Sequence, residues 1–179
     1  MRAYTSLLGH VLGSHPEIDG YYEMHRSYAQ ADDLDRQLAH YAAHDALKPT
    51  GRMLFDKLLH NDYTLNLALP ELADAAILTT LRAPAATLPS IVALFADKRR
   101  DDPYATPAGA AGYYVDRLAA LADFATRHPR RYFYFDADTL LGGTPRLFAA
   151  LERWLGLASP LAGEYRRFAR TGVAGAGDS

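Results

Sequence analysis

The sequence has no cysteine. That excludes disulfides, thiolate metal sites and a cysteine nucleophile together, and it suits a reducing compartment. There is no apolar run near the roughly 20 residues a membrane span needs. Residues 7–12, interrupted by Gly9 and His10, are too short for the core of a secretory signal. A cytoplasmic protein without a membrane span is therefore expected. A large excess of either charge is also missing: the net charge is −2, which argues against a general polyanion binder and so against nucleic acid as a partner, while leaving room for one local anion pocket. The sequence contains no Gly-x-x-x-x-Gly-Lys-Ser/Thr stretch, the loop an ATP- or GTP-dependent phosphotransferase of this architecture would need. Paired metal-ligand spacing is lacking as well. His40 and His44 lie at i and i+4 but have no carboxylate in register, so they read as a solvated face and no metal is expected.

What is present is the composition of a folded domain. Hydrophobic residues make up 49% and charged residues 22% of 179, enough to bury one core and too few residues for two ordinary domains, so a single domain over 1–179 is expected. Periodicity and turn residues predict helices over 5–14, 32–46, 64–72, 87–97, 110–128 and 144–157, and strands over 18–24, 53–59, 76–81 and 132–136. Apolar stripes are expected at Leu34, Leu38, Tyr41 and Ala42, and at Tyr114, Leu118, Leu121 and Phe124 or Ala125. The run over 76–81 reads as a strand covered on both faces. Strands alternating with helices imply an α/β fold, a three-layer sandwich whose central parallel sheet is flanked by helices. Chemistry is then sought just beyond the carboxyl ends of the strands. No strand precedes the first helix, so the first strand of such a sheet is missing. Either residues upstream of Met1 or another segment is expected to fill that place.

The most informative stretch runs from Leu81 to Ile91. Arg82 emerges where a strand ends, Pro84 turns the chain, and Thr87 is placed to cap a helix that presents Ser90 about one turn in. Arg82 and Ser90 would then converge on one phosphate, the guanidinium giving bidentate charge-assisted bonds and the hydroxyl a further donor. The plainer alternative is a strand-end salt bridge beside a helical serine.

Arg82, Pro84 and Ser90 also match, position for position, the stretch with which sulfotransferases that use 3′-phosphoadenosine 5′-phosphosulfate (PAPS) hold the nucleotide 3′-phosphate. The N-terminus resembles the same family's loop, Pro-Arg-Ser-Gly-Ser/Thr-Thr-Leu-Leu, which wraps the 5′-phosphosulfate. Here Arg2, Thr5, Ser6, Leu7 and Leu8 match, while Ala3 stands for the family serine and Tyr4 for the family glycine. The design of such a loop is physical: small residues let backbone N–H groups close on the anion, and a helix turns its positive end toward it. The glycine-rich stretch 171–179 resembles the C-terminal loop that covers the 3′-phosphate and adenine, with Gly172, Gly175 and Gly177 letting backbone amides face phosphate. Residues 134–141 resemble a late strand and turn, with Asp138 as a cap. The resemblance extends over nearly the whole chain. It implies a P-loop-NTPase-like fold of the sulfotransferase type, PAPS as co-substrate, and no metal.

Sulfuryl transfer needs a base for the acceptor proton. Glu23 and His25, at the strand that follows the first helix, are the candidates, with Glu23 favoured because burial can tune a carboxyl. Lys57, at the end of the next strand, and Arg2 are candidates to stabilise charge at the sulfuryl group and its leaving oxygen. The expected function is transfer of a sulfuryl group to a hydroxyl or amine of a small-molecule or glycan-like acceptor. The alternative is a catalytically impaired relative that binds nucleotide or a protein, a reading to which Tyr4 contributes. Acceptor choice would fall to residues 97–112 and 21–28.

Overall fold

The computed structural model describes residues 3–98 and 101–173. The chain is α/β and divides into two compact units, one built from Met1–Ala3 and Ala76–Asp138, the other from Tyr4–Ala75 and Thr139–Ser179. Each contains one two-stranded parallel sheet among the described residues.

In the first unit, β3 (Ile77–Leu81) pairs in parallel with β4 (Tyr132–Asp136), in register from Ile77 opposite Tyr132 to Leu81 opposite Asp136. Between them run α3 (Pro84–Lys98) and α4 (Pro107–Arg127). Pro84 opens α3, where a residue without an N–H costs nothing. Thr106 caps α4 by accepting a bond from Gly109 N–H at 3.1 Å. Ile91, Ala110 and Tyr114 form the core, with Leu88, Val92, Phe95, Tyr104, Tyr113 and Leu118 packed around them. Leu121, Phe124 and Ala125 are only half-buried, and so is β3 apart from Thr79. The two-sided cover expected for that strand is not found.

The second unit begins with α1 (Thr5–Ser14), whose Leu8, Val11 and Leu12 are buried. α1 lies backbone to backbone on the segment after β1 (Ile18–Asp19): a Cβ on Gly9 would collide with the Tyr21 carbonyl oxygen, and one on Gly13 with that of Gly20. The ammonium of Lys48 donates to the carbonyls of Gly13, His15 and Ile18, so a cation closes the negative end of the helix. β1 pairs in parallel with β2 (Met53–Leu54). Both strands are shorter than expected because Gly20 turns the chain at φ 79°, and beyond it a side chain replaces the ladder. The Asp56 carboxylate accepts from Met24 N–H at 2.8 Å, Lys57 N–H at 2.7 Å and the Tyr28 hydroxyl at 2.5 Å. α2 (Asp32–Ala42) buries Gln37 and Tyr41, while Leu38 and Ala42, expected inward, are exposed.

The helix expected over 64–72 is absent. Leu65 instead bridges Tyr28 in parallel, Asn66 accepts from the following backbone at Ala68, and only Pro70–Leu72 is helical, as one 3₁₀ turn. α5 (Thr139–Gly142) and α6 (Thr144–Leu155) complete the unit, with Leu147, Phe148 and Leu151 of α6 buried and Trp154 half-buried. No helix among the described residues is long and apolar enough to cross a membrane.

Candidate functional site

In the second unit the start of α1 and the segments after β1 and β2 meet. Tyr4, the residue leading into α1, sits at φ 57° and ψ 26°, in the left-handed region. His25, at φ 54°, is the other non-glycine residue with positive φ among those described. For a residue with a Cβ this conformation costs about 1–2 kcal/mol, and such strain tends to collect where a chain is held for function. Position 4 thus keeps a conformation that glycine adopts readily while carrying tyrosine. Tyr4→Gly is accordingly expected to be more stable than Tyr4→Ala by about 1 kcal/mol in chemical denaturation, because both remove the ring but only alanine retains the clashing Cβ. Equal stabilities would show that residue 4 is not held left-handed.

Ser6 lies in the first turn of α1, and its hydroxyl is 3.4 Å from the ammonium of Lys57. That lysine is only 4% exposed, so a buried cation stands beside the helix end whose peptide dipoles are positive. Two positive elements side by side, with hydroxyls at Thr5 and Ser6, form an environment that favours an anion.

Glu23 is 4% exposed, and its Oε1, with no hydrogen-bond partner, stands 3.5 Å from Nδ1 of His25, whose side chain is 47% exposed. Burial pushes the Glu23 carboxyl above its ordinary range, against the pull of His25 and Lys57. The same Nδ1 lies 3.1 Å from the Tyr63 hydroxyl. A buried carboxyl behind an exposed imidazole is an arrangement in which the acid orients the ring. Asp56 is likewise raised by burial, in spite of the three bonds it accepts.

The first unit carries Arg82 and Ser90. Arg82 leaves the end of β3, and its Nε lies 3.8 Å from Oδ1 of Asp138. The Arg82 carbonyl accepts bonds from the hydroxyls of Tyr114 at 2.9 Å and Thr87 at 3.1 Å, which fix the backbone from which the guanidinium projects. Thr87 does not begin the helix as expected. It is buried one turn inside α3, donating back to Arg82 and Ala83, because Pro84 already occupies the first helical position. Ser90 therefore stands deeper in α3 than expected, half-buried.

Glu23 is thus brought to His25, and Lys57 to Ser6. Gly172 sits in a left-handed turn at φ 74°, following Thr171, whose hydroxyl meets Nε2 of the buried His10 at 3.0 Å. Arg2, Gly175 and Gly177 lie outside the described residues. Sequence reasoning missed the part of Asp56, whose only signal was its place between Phe55 and Lys57 at a strand end, and that of Tyr63. No group of three His, Asp or Glu residues suited to a metal is found among the described residues. Comparison of the chain with models of protein families, with curated proteins and with solved structures yields no match.

Proposed function

We propose that the chain is a PAPS-dependent sulfotransferase acting on a hydroxyl or amine of a small-molecule or glycan-like acceptor. The observation that carries this is the start of α1: a left-handed residue 4, hydroxyls at Thr5 and Ser6, and the buried ammonium of Lys57 at 3.4 Å from Ser6 Oγ. These are the parts an oxyanion-cradling loop requires, at the place where the sequence resembles the family's 5′-phosphosulfate loop. The reading takes residues 1–179 as one domain with a P-loop-like three-layer sandwich, supported by the parallel pairing of both sheets and the strand–helix order.

In this reading Arg82 and Ser90 hold the nucleotide 3′-phosphate, with Gly172 and Gly175 supplying backbone donors, and Arg2, Thr5 and Ser6 hold the 5′ side. The acceptor oxygen or nitrogen forms a bond to sulfur as the bond from sulfur to the bridging phosphate oxygen breaks. The acceptor proton passes to the Glu23–His25 pair. Lys57, with Arg2, offsets the charge that develops on the leaving oxygen, which departs as 3′-phosphoadenosine 5′-phosphate. Rate acceleration then comes from positioning and fixed charge.

A second reading, a relative that binds nucleotide without transferring sulfuryl, is favoured by one observation: the phenol ring of Tyr4 at the loop's left-handed position. Titration with 3′-phosphoadenosine 5′-phosphate, followed by thermal shift, tests both. A saturable rise in melting temperature is expected, weakened about tenfold or more in Arg82→Ala by loss of a charge-assisted phosphate contact. Binding without turnover of PAPS across hydroxyl and amine acceptors would select the second reading. Absence of binding would overturn both.

A further inference from the structure

The geometry points to a second oxyanion site in the unit that contains α1, built from Tyr22, Arg26 and Arg170 with His44 and His40 beside them, and suited to a phosphate or sulfate group. It shares no residue with the Arg82–Ser90 or Thr5–Ser6 sets and does not depend on the sulfotransferase reading.

Three buried atoms carry the inference. The Tyr22 hydroxyl, Nε of Arg26 and Nε of Arg170 are each shielded from solvent and have no hydrogen-bond partner within the described protein. Tyr22 as a whole is 1% exposed. A buried donor without a partner is costly and rare. Two of the three belong to guanidinium groups, and the charges of both arginines act on the Tyr22 hydroxyl and on His40. The Arg170 guanidinium lies over the Tyr22 ring, 5.1 Å from its centroid, and its Nη1 donates to His44 Nε2 at 3.2 Å. The rings of His40 and His44 are 5.6 Å apart, and His40 is 6.0 Å from Tyr22. The backbone N–H of Arg170 donates to the Tyr21 hydroxyl at 2.8 Å, so the arginine is anchored by its main chain while its head group is left for other work.

The nearby acids are engaged elsewhere. Asp45 accepts from the Tyr21 hydroxyl, and both oxygens of Asp56 are taken by Met24, Lys57 and Tyr28. Neither Arg26 nor Arg170 forms an ion pair with a carboxylate among the described residues. Burial keeps the Tyr22 phenol protonated, against the influence of Arg170, so its oxygen is a donor at neutral pH. His40 is pushed toward neutrality first by burial, then by the charges of Arg26, His44 and Arg170. Three donors without partners, two of them on cations, are the complement of an oxyanion. One tetrahedral oxyanion offers acceptors enough for all three donors and negative charge to offset two cations.

The test uses the full chain and inorganic phosphate at constant ionic strength, with the imidazole proton resonances of His40 and His44 as the readout. Saturable shifts of both rings are expected, with the pKa of His40 rising as the anion enters. Tyr22→Phe, Arg26→Gln and Arg170→Gln should each weaken phosphate about tenfold, the size of one charge-assisted contact. Tyr22→Phe should also melt no lower than the wild type without phosphate, since it deletes a hydroxyl that has no partner. That behaviour is opposite to what a structural tyrosine would show. Repeating the titration with saturating 3′-phosphoadenosine 5′-phosphate identifies the source. Displacement of phosphate assigns the site to the nucleotide's own phosphate, and undisturbed phosphate binding assigns it to a separate anionic ligand. If the nucleotide does not bind at all, the phosphate titration still reads this site alone. Unsaturable or absent shifts, unchanged affinity in the three variants, or a Tyr22→Phe protein that melts well below the wild type without phosphate would overturn the inference.

Discussion

Glu23→Gln is expected to lower sulfuryl transfer by about 10²–10⁴-fold, the usual contribution of a positioned proton acceptor. The amide keeps the shape of the side chain 3.5 Å from the His25 ring but cannot take a proton. The loss should fall on kcat, with nucleotide affinity retained, because the residues assigned to the nucleotide are elsewhere. A stability measurement separates this from a folding defect, and its sign follows from linkage. Burial raises the folded pKa above the unfolded value of 4.5, so the native state favours the protonated carboxyl. That contribution to stability is fully present below the unfolded pKa and is lost as pH rises through the folded one. Glutamine never ionises. The variant should therefore be at least as stable as the wild type at neutral pH, with any gain shrinking as pH falls toward 4.5. Asp56, raised in the same direction, is present in both proteins and cancels from the difference. Undiminished turnover in Glu23→Gln would remove the carboxyl from the proposed chemistry.

Gly9→Ala is expected to destabilise the fold by about 3 kcal/mol, at the upper end of overpacking costs, because its new methyl group meets main chain, not a side chain that can swing aside. The atom in the way is the Tyr21 carbonyl oxygen, with the Phe55 ring edge next at 3.2 Å. The internal control is Gly112 in α4, around which there is nothing within 4 Å. There alanine should stabilise by about 0.5–1 kcal/mol, through helix propensity alone. Chemical denaturation of the two variants should thus give changes of opposite sign. If Gly9→Ala were neutral, α1 would not lie against the Tyr21 backbone, and the placement of Ser6 near Lys57 would lose its foundation.

These expectations rest on features that were unequally legible in the sequence. The bounds of α1 and β4 follow from local signals: a leucine-rich face ending in Gly13, His15 and Pro16, and a run of aromatic residues closed by Asp136. The short lengths of β1 and β2 do not, because the Asp56 side chain takes over where a backbone ladder would continue, and that substitution is a tertiary event. The segment over 64–72 offered a signal that a helical reading overlooks. Leu65, Leu67 and Leu69 alternate with period two, the pattern of an extended chain. Pro84 was legible as a turn residue, but its preference for the first helical position moves the start of α3 ahead of Thr87.

The site divides in the same way. Glu23, His25 and Lys57 could be singled out as candidates because each stands near the carboxyl end of a strand candidate. The strain at residue 4 was not, since tyrosine gives no hint of a left-handed backbone. Nor was the cluster around Tyr22, where Arg170 reaches His44 and Tyr22 across most of the length of the chain.

The sole tryptophan of the sequence, Trp154, lies in α6 and hence in the unit that also contains α1. Indole emission is therefore a spectroscopic label that nature has placed in one unit alone. A melt followed by that fluorescence reads the half of the chain carrying Glu23, Lys57 and Tyr22, whereas the half carrying Arg82 must be followed through its tyrosines or its amide exchange.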